Sequence, residues 1–164
     1  MTQLSPHFSL SEMVLSTQAA RMGIDNNPLP EVVERLRNTA MQLEKVRLLL
    51  NSNAIMINSG YRCPKLEYVL CRDAYQGWCK RQGVDETPDS WQNYLRNKSH
   101  PRGEAVDFTT TYGDPYHVVR VIRDSKIEFD QCIWEFGSWT HISFNDTPRR
   151  QVLTIDVHGT RAFQ

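Results

Sequence analysis

The apolar positions of this chain change period along its length. Val32, Val33, Leu36, Ala40, Leu43, Val46 and Leu50 recur at steps of three and four, leaving Glu34, Arg37 and Lys45 for water. That period predicts an amphipathic helix opened by Pro30, the strongest helix in the sequence. Ahead of it, Ser9-Leu10-Ser11-Glu12 has capping-box spacing and predicts a short helix, closed off by Gly23 and the Asn26-Asn27-Pro28 turn. Beyond it the period shortens to two. Ala54 to Asn58 and Ala105 to Thr109 read as strands, the second with Val106 and Phe108 on one face and Asp107 on the other. Pro115 to Ser125 reads as a helix with Val118, Val119 and Ile122 inward, followed by strands at Phe129–Trp134, Trp139–Phe144 and Gln151–Ile155. Helices first and mostly antiparallel strands last make the class α+β.

The stretch from about residue 67 to 98 is different. Tyr68, Leu70, Tyr75, Trp78, Trp91, Tyr94 and Leu95 give it apolar content of its own, and Thr87-Pro88 looks like an N-cap with a first-turn proline. Two helical pieces are expected there. No repeat or low-complexity linker divides the 164 residues, so residues 1–164 are read as one domain carrying an insert at about 67–98.

Charge excludes some partners. Lysine plus arginine and aspartate plus glutamate are 19 each, so no electrostatic footprint for nucleic acid or an anionic membrane is expected. MTQLSPHFSLSE lacks the basic start and apolar run of a secretory signal, and no apolar stretch reaches the roughly 20 residues of a membrane span. Synthesis in the cytoplasm, without membrane insertion and as a monomer by default, is the expectation. Cys63, Cys71, Cys79 and Cys132 follow no CxxC spacing, so they read as reduced, small, buried or half-buried hydrophobes.

The chemistry gathers in two places. In Ser99-His100-Pro101-Arg102-Gly103-Glu104-Ala105-Val106-Asp107, a loop histidine precedes a strand aspartate by seven residues, and Gly103 permits the turn between them. His141, in Trp139-Thr140-His141-Ile142-Ser143, can face a polar cleft while Ile142 faces the core. Two imidazoles and a carboxylate are good zinc ligands, and three protein ligands with an open fourth position compose a catalytic zinc site. Taken singly, His100 is a loop histidine, His141 a core histidine, Arg62 a partner for Glu67, and Glu135 an edge-strand charge. His7, His117 and His158 are read as solvated or helix-face residues.

The company these residues keep is specific. SGYR, SHPRGEAVDF and EFGSWTHISF, in that order, resemble the zinc peptidases of the M15 group, which includes bacterial D-Ala-D-Ala carboxypeptidases and phage endolysins. The likeness also runs through FSLSEMVLSTQAARMGIDNNP, PEVVERLRNTAMQLEKVRLLL and RRQVLT, leaving out roughly residues 67–98. It implies the hedgehog/DD-peptidase fold, with one zinc ion per chain held by His100, Asp107 and His141. It further implies a general base at Glu135, six residues before His141. Arg62, helped by Ser99, becomes a substrate-binding and catalytic residue. The implied substrate is the peptide part of bacterial peptidoglycan, cut by a carboxypeptidase or an endolysin-type endopeptidase after release or delivery with a phage particle. A zinc-binding module of the same fold without turnover, such as a virion-associated one, is the alternative.

Overall fold

The computed structural model describes residues 2–164. Its sheet has six strands in the order β1-β2-β4-β3-β5-β6: β1 Ile55–Ser59, β2 Ala105–Thr110, β3 Gln131–Glu135, β4 Trp139–Ser143, β5 Gln151–Asp156 and β6 Gly159–Ala162. Every neighbouring pair is antiparallel except β3 with β5. That crossover is clamped where it begins. Arg149 donates from Nε and Nη2 to the two carboxylate oxygens of Asp130, each at 2.7 Å, a bidentate geometry lysine cannot reproduce.

One face of the sheet is the core. Val106 and Phe108 of β2 and Ile142 of β4 are fully buried against α3 (Pro30–Leu49) and α6 (Pro115–Arg123). The expected stripe of α3 is the buried one: Val32, Leu36, Ala40, Leu43, Val46 and Leu50 are 0–6% exposed. Val118, Val119 and Ile122 do the same for α6, which Asp114 caps by accepting from the His117 N–H at 3.1 Å.

Near the N-terminus the capping box is present, with Glu12 accepting from the Ser9 N–H at 2.8 Å. The single short helix expected there is two, α1 (Leu10–Val14) and α2 (Thr17–Arg21). Leu15 between them is extended (φ −62°, ψ 126°), and Ser16 starts the second helix as its own N-cap. The preference of serine for capping over helix interior explains the break.

The stretch from 67 to 98 is helical, and its first helix begins before it. α4 runs Pro64–Gln82, interrupted at Cys71 (φ −123°, ψ 22°), and α5 runs Pro88–Leu95. Between them lies a second, small core in which buried Tyr75, Cys79 and Tyr94 meet half-buried Tyr68, Trp78 and Trp91. All four cysteines are free thiols, three buried and Cys71 half-buried. Among the described residues no helix is long and apolar enough to cross a membrane.

Candidate active site

The second sheet face carries the chemistry, and strand alternation puts it there. Because Val106 and Phe108 point into the core, Asp107 between them must point the other way. Asp107 is paired in register with His141 on β4 and with Ser59 on β1, where the ladder slips by a residue. His100 arrives from the loop after α5. Gly103 turns that loop with φ 74°, and a Cβ there would sit 3.0–3.1 Å from Val32 and Leu36 of α3, so glycine is required on both counts. Thr39 of α3 pins the turn by donating to the Gly103 carbonyl at 2.8 Å.

Three donors converge as a result. Asp107 Oδ1 lies 2.9 Å from His141 Nδ1 and 3.3 Å from His100 Nε2, and one ligand atom from each residue falls within 4.8 Å of the others. All three side chains are buried. A carbonyl only accepts, so His100 Nδ1, 2.7 Å from the Gly60 oxygen, must donate to it, leaving Nε2 as the nitrogen that meets Asp107 or a metal. Gly60 has no room for a side chain, since a Cβ would lie 2.4 Å from the Met13 carbonyl oxygen. Burial pushes the Asp107 carboxyl upward, but the charges and hydrogen bonds of His100 and His141 outweigh it and hold the group far below the usual carboxylate range. An ionised oxygen facing two imidazole nitrogens, with outer partners orienting the ligands, fits zinc.

Arg62 stands behind this trio. Its Nη2 donates to Asp107 Oδ2 at 3.0 Å, Nη1 to Glu67 Oε2 at 3.4 Å and Nε to Ser59 Oγ at 3.0 Å. Asp107 thus turns one oxygen to the histidines and the other to Arg62. Both sequence readings of Arg62 describe part of this: it pairs with Glu67, and it borders the cleft beside the trio with two of its five N–H groups left over.

Glu135 ends β3, and the chain reverses through Phe136 (φ 49°) and Gly137 (φ 66°) to Trp139 on β4. Positive φ at both central residues is the turn that matches the twist of a hairpin. Register puts Glu135, Trp139 and His141 on one face, and Trp139 Nε1 donates to Glu135 Oε2 at 2.8 Å. Burial, then the Asp107 charge, pushes the Glu135 carboxyl above its ordinary value.

Arg62, Ser99, His100, Asp107, Glu135 and His141 all line one cleft of about 650 Å³. α4 supplies its opposite wall from Val69 to Ala74. His7 lies apart from the trio, its Nδ1 paired at 2.8 Å with Glu44. Two supporting groups have no counterpart in the sequence reading of the site. The Gly60 carbonyl sets the His100 tautomer, and the Trp139 indole holds Glu135. The tightness of Ser-Gly at a strand end was the available signal for the first, and the four-residue spacing across the Phe136-Gly137-Ser138 turn for the second.

No curated protein matches the chain. The family model described as Peptidase M15 matches residues 6–68, a stretch that holds α1 to α3, Gly60, Arg62 and Glu67. The trio and Glu135 lie beyond that stretch, so the sequence match and the site geometry are separate observations. The match supports an M15-family peptidase.

Proposed function

We propose that this chain is a zinc metallopeptidase of the hedgehog/DD-peptidase fold that hydrolyses amide bonds in the peptide part of bacterial peptidoglycan. The observation that carries the reading is the convergence of His100, Asp107 and His141 beside Glu135 in one cleft. His100 through Nε2, Asp107 through Oδ1 and His141 through Nδ1 would hold the metal. Zinc bound there supplies Lewis-acid activation of water and of the scissile carbonyl.

The remaining work falls to the chain's own groups. Glu135 takes the proton of the attacking water and passes it to the leaving nitrogen, a role helped by a carboxyl raised toward neutrality. The Trp139 indole occupies one of its oxygens, Oε2, and leaves Oε1 for that proton. Arg62 fixes the Asp107 carboxylate and keeps positive charge near the developing oxyanion. Ser99, at the cleft, offers a hydroxyl to the substrate backbone. The peptidoglycan assignment, and with it release or phage delivery to the wall, rests on the resemblance of SGYR, SHPRGEAVDF and EFGSWTHISF.

Metal analysis and digestion of purified peptidoglycan test this together. About one zinc per chain, lost in His100→Ala, with new peptide termini detected by mass spectrometry, is the expected result. Zinc without new termini would instead indicate a binding module, and equal low metal in both proteins would remove the site.

A further inference from the structure

The cleft beside the trio does not stop at it. A second depression of about 350 Å³ opens on the other side of Arg62, Leu70 and Asp107, three residues that border both. Its outer wall is Leu15 with Thr17 and Gln18 of α2, and its inner wall is Tyr61, Leu66 and Trp139. Trp139 also joins the two, because its indole hydrogen-bonds Glu135 on the first side. Arg62, Asp107 and Leu70 therefore form a ridge between two hollows, with His100, His141 and Glu135 facing the first.

The two hollows differ in charge. The first carries Glu67, Arg72 and Asp73 of α4 and Lys98 from the loop after α5. In the second, Arg62 is the one lysine or arginine, and it is already paired with Asp107 at 3.0 Å and Glu67 at 3.4 Å. A free terminal carboxylate entering this hollow would meet Arg62 only through the two N–H groups its pairs leave over, beside the Asp107 carboxylate. Beside the uncharged polar Ser16, Thr17, Gln18, Asn58 and Ser59, it presents apolar surface. Leu15 is 73% exposed at its rim, held out by the extended break between α1 and α2, and Leu70 is 46% exposed. Exposed aliphatic side chains lining a hollow that adjoins a catalytic cleft mark substrate-contacting surface. Each hollow alone also falls in the roughly 300–1,000 Å³ range of ligand sites.

We propose that this second hollow is a substrate subsite for an uncharged stretch of peptide, and that the enzyme consequently cuts within a peptide rather than trimming its last residue. The inference rests on the peptidase reading above and adds the position of the bond. The amide C–N bond that breaks has peptide on both sides. The water hydroxyl stays on the carbonyl carbon, and a proton goes to the leaving nitrogen. Charged or polar stem residues fill the first hollow, and small or apolar uncharged ones fill the second.

Purified peptidoglycan and a synthetic stem peptide, the latter with a free or an amidated C-terminus, distinguish the outcomes. Internal cutting releases fragments of two or more residues, and amidation changes the rate by less than about twofold. Release of single amino acids, abolished by amidation, overturns the subsite inference and leaves the peptidase reading standing. No release from any of the three overturns both. Leu15→Trp, a change at an exposed position that fills the hollow, should slow fragment release about tenfold with zinc content and melting temperature unchanged, and Gln18→Trp should act the same way. Unaltered rates in both variants would show that substrate does not enter the second hollow.

Discussion

The molecule has two cores, and they are built on opposite plans. The larger one is mostly aliphatic, with a few phenylalanines, and gathers residues from Leu4 to Phe144 between the sheet, α1, α3 and α6. The smaller lies between α4 and α5 and is aromatic, with the rings of Tyr68, Tyr75, Trp78, Trp91 and Tyr94 spaced 5.0–6.4 Å apart at mostly tilted and edge-on angles. All three candidate metal ligands are fixed by the first: Asp107 and His141 by register in the sheet, His100 by a loop pinned to α3. The second supplies a wall of the cleft and no ligand. Chemistry placed on strands with long-range support is held to narrow geometry, whereas a wall on a locally stabilised helix pair can change without moving the metal. Near the start of α4, Leu66 packs in the larger core and Glu67 pairs with Arg62, which links the two regions.

The largest effect belongs to a change in the chemistry alone. Glu135→Gln should lower turnover about 10²–10⁴-fold while zinc content and melting temperature hold, since the amide cannot accept a proton. The base works only when ionised, and its carboxyl is pushed upward by burial and by Asp107. Activity of the parent protein should therefore fall as pH drops through a midpoint above the ordinary glutamate range. A Glu135→Gln protein as active as its parent would move the base elsewhere.

Next comes a change in the larger core. Leu43, fully buried on α3, should cost about 2–5 kcal/mol on substitution by alanine, seen in chemical denaturation as an earlier transition at the same slope. Zinc retention should be lost together with the fold. A transition that leaves metal binding intact after the core has melted would separate the site from the core beneath it.

Arg62→Lys sharpens the boundary between the regions. It keeps the charge but not the fork that reaches Ser59, Glu67 and Asp107 at once, so zinc affinity should fall about 10–100-fold, as for other orienting partners of metal ligands. Competition with a chelator measures it. Unchanged affinity with a raised KM would make Arg62 a substrate-binding group and not a positioning one.

The smallest effect is expected in the aromatic core. Tyr75→Phe removes a hydroxyl 2.6 Å from Ser90 Oγ, a loss of about 0.5–1.5 kcal/mol, with zinc affinity unaltered. If it weakens metal binding as much as Arg62→Lys does, the two regions are one unit and the comparison fails.

The amino-acid sequence alone determined what depends on neighbours in the chain. The stripe of α3, the cap at Ser9, the inward face of α6 and the alternation around Asp107 each follow from a period or from a local competition for hydrogen bonds, and each is found at its expected place within a residue or two. β6 was not legible, because Gly159-Thr160-Arg161-Ala162 is exposed throughout and becomes a strand only by pairing with β5. The parallel pairing of β3 with β5 was equally invisible, because it joins segments about 20 residues apart, as the Arg149–Asp130 clamp at its start does across 19. At the site the donors could be named from their types and order, but their function depends on contacts that span 40 residues or more. Gly60 selects the free nitrogen of His100, and Arg62 turns Asp107 so that one oxygen faces both histidines. Tertiary structure decided these, and with them the second hollow, because a side chain's local pattern fixes which way it points and only packing fixes what it meets there.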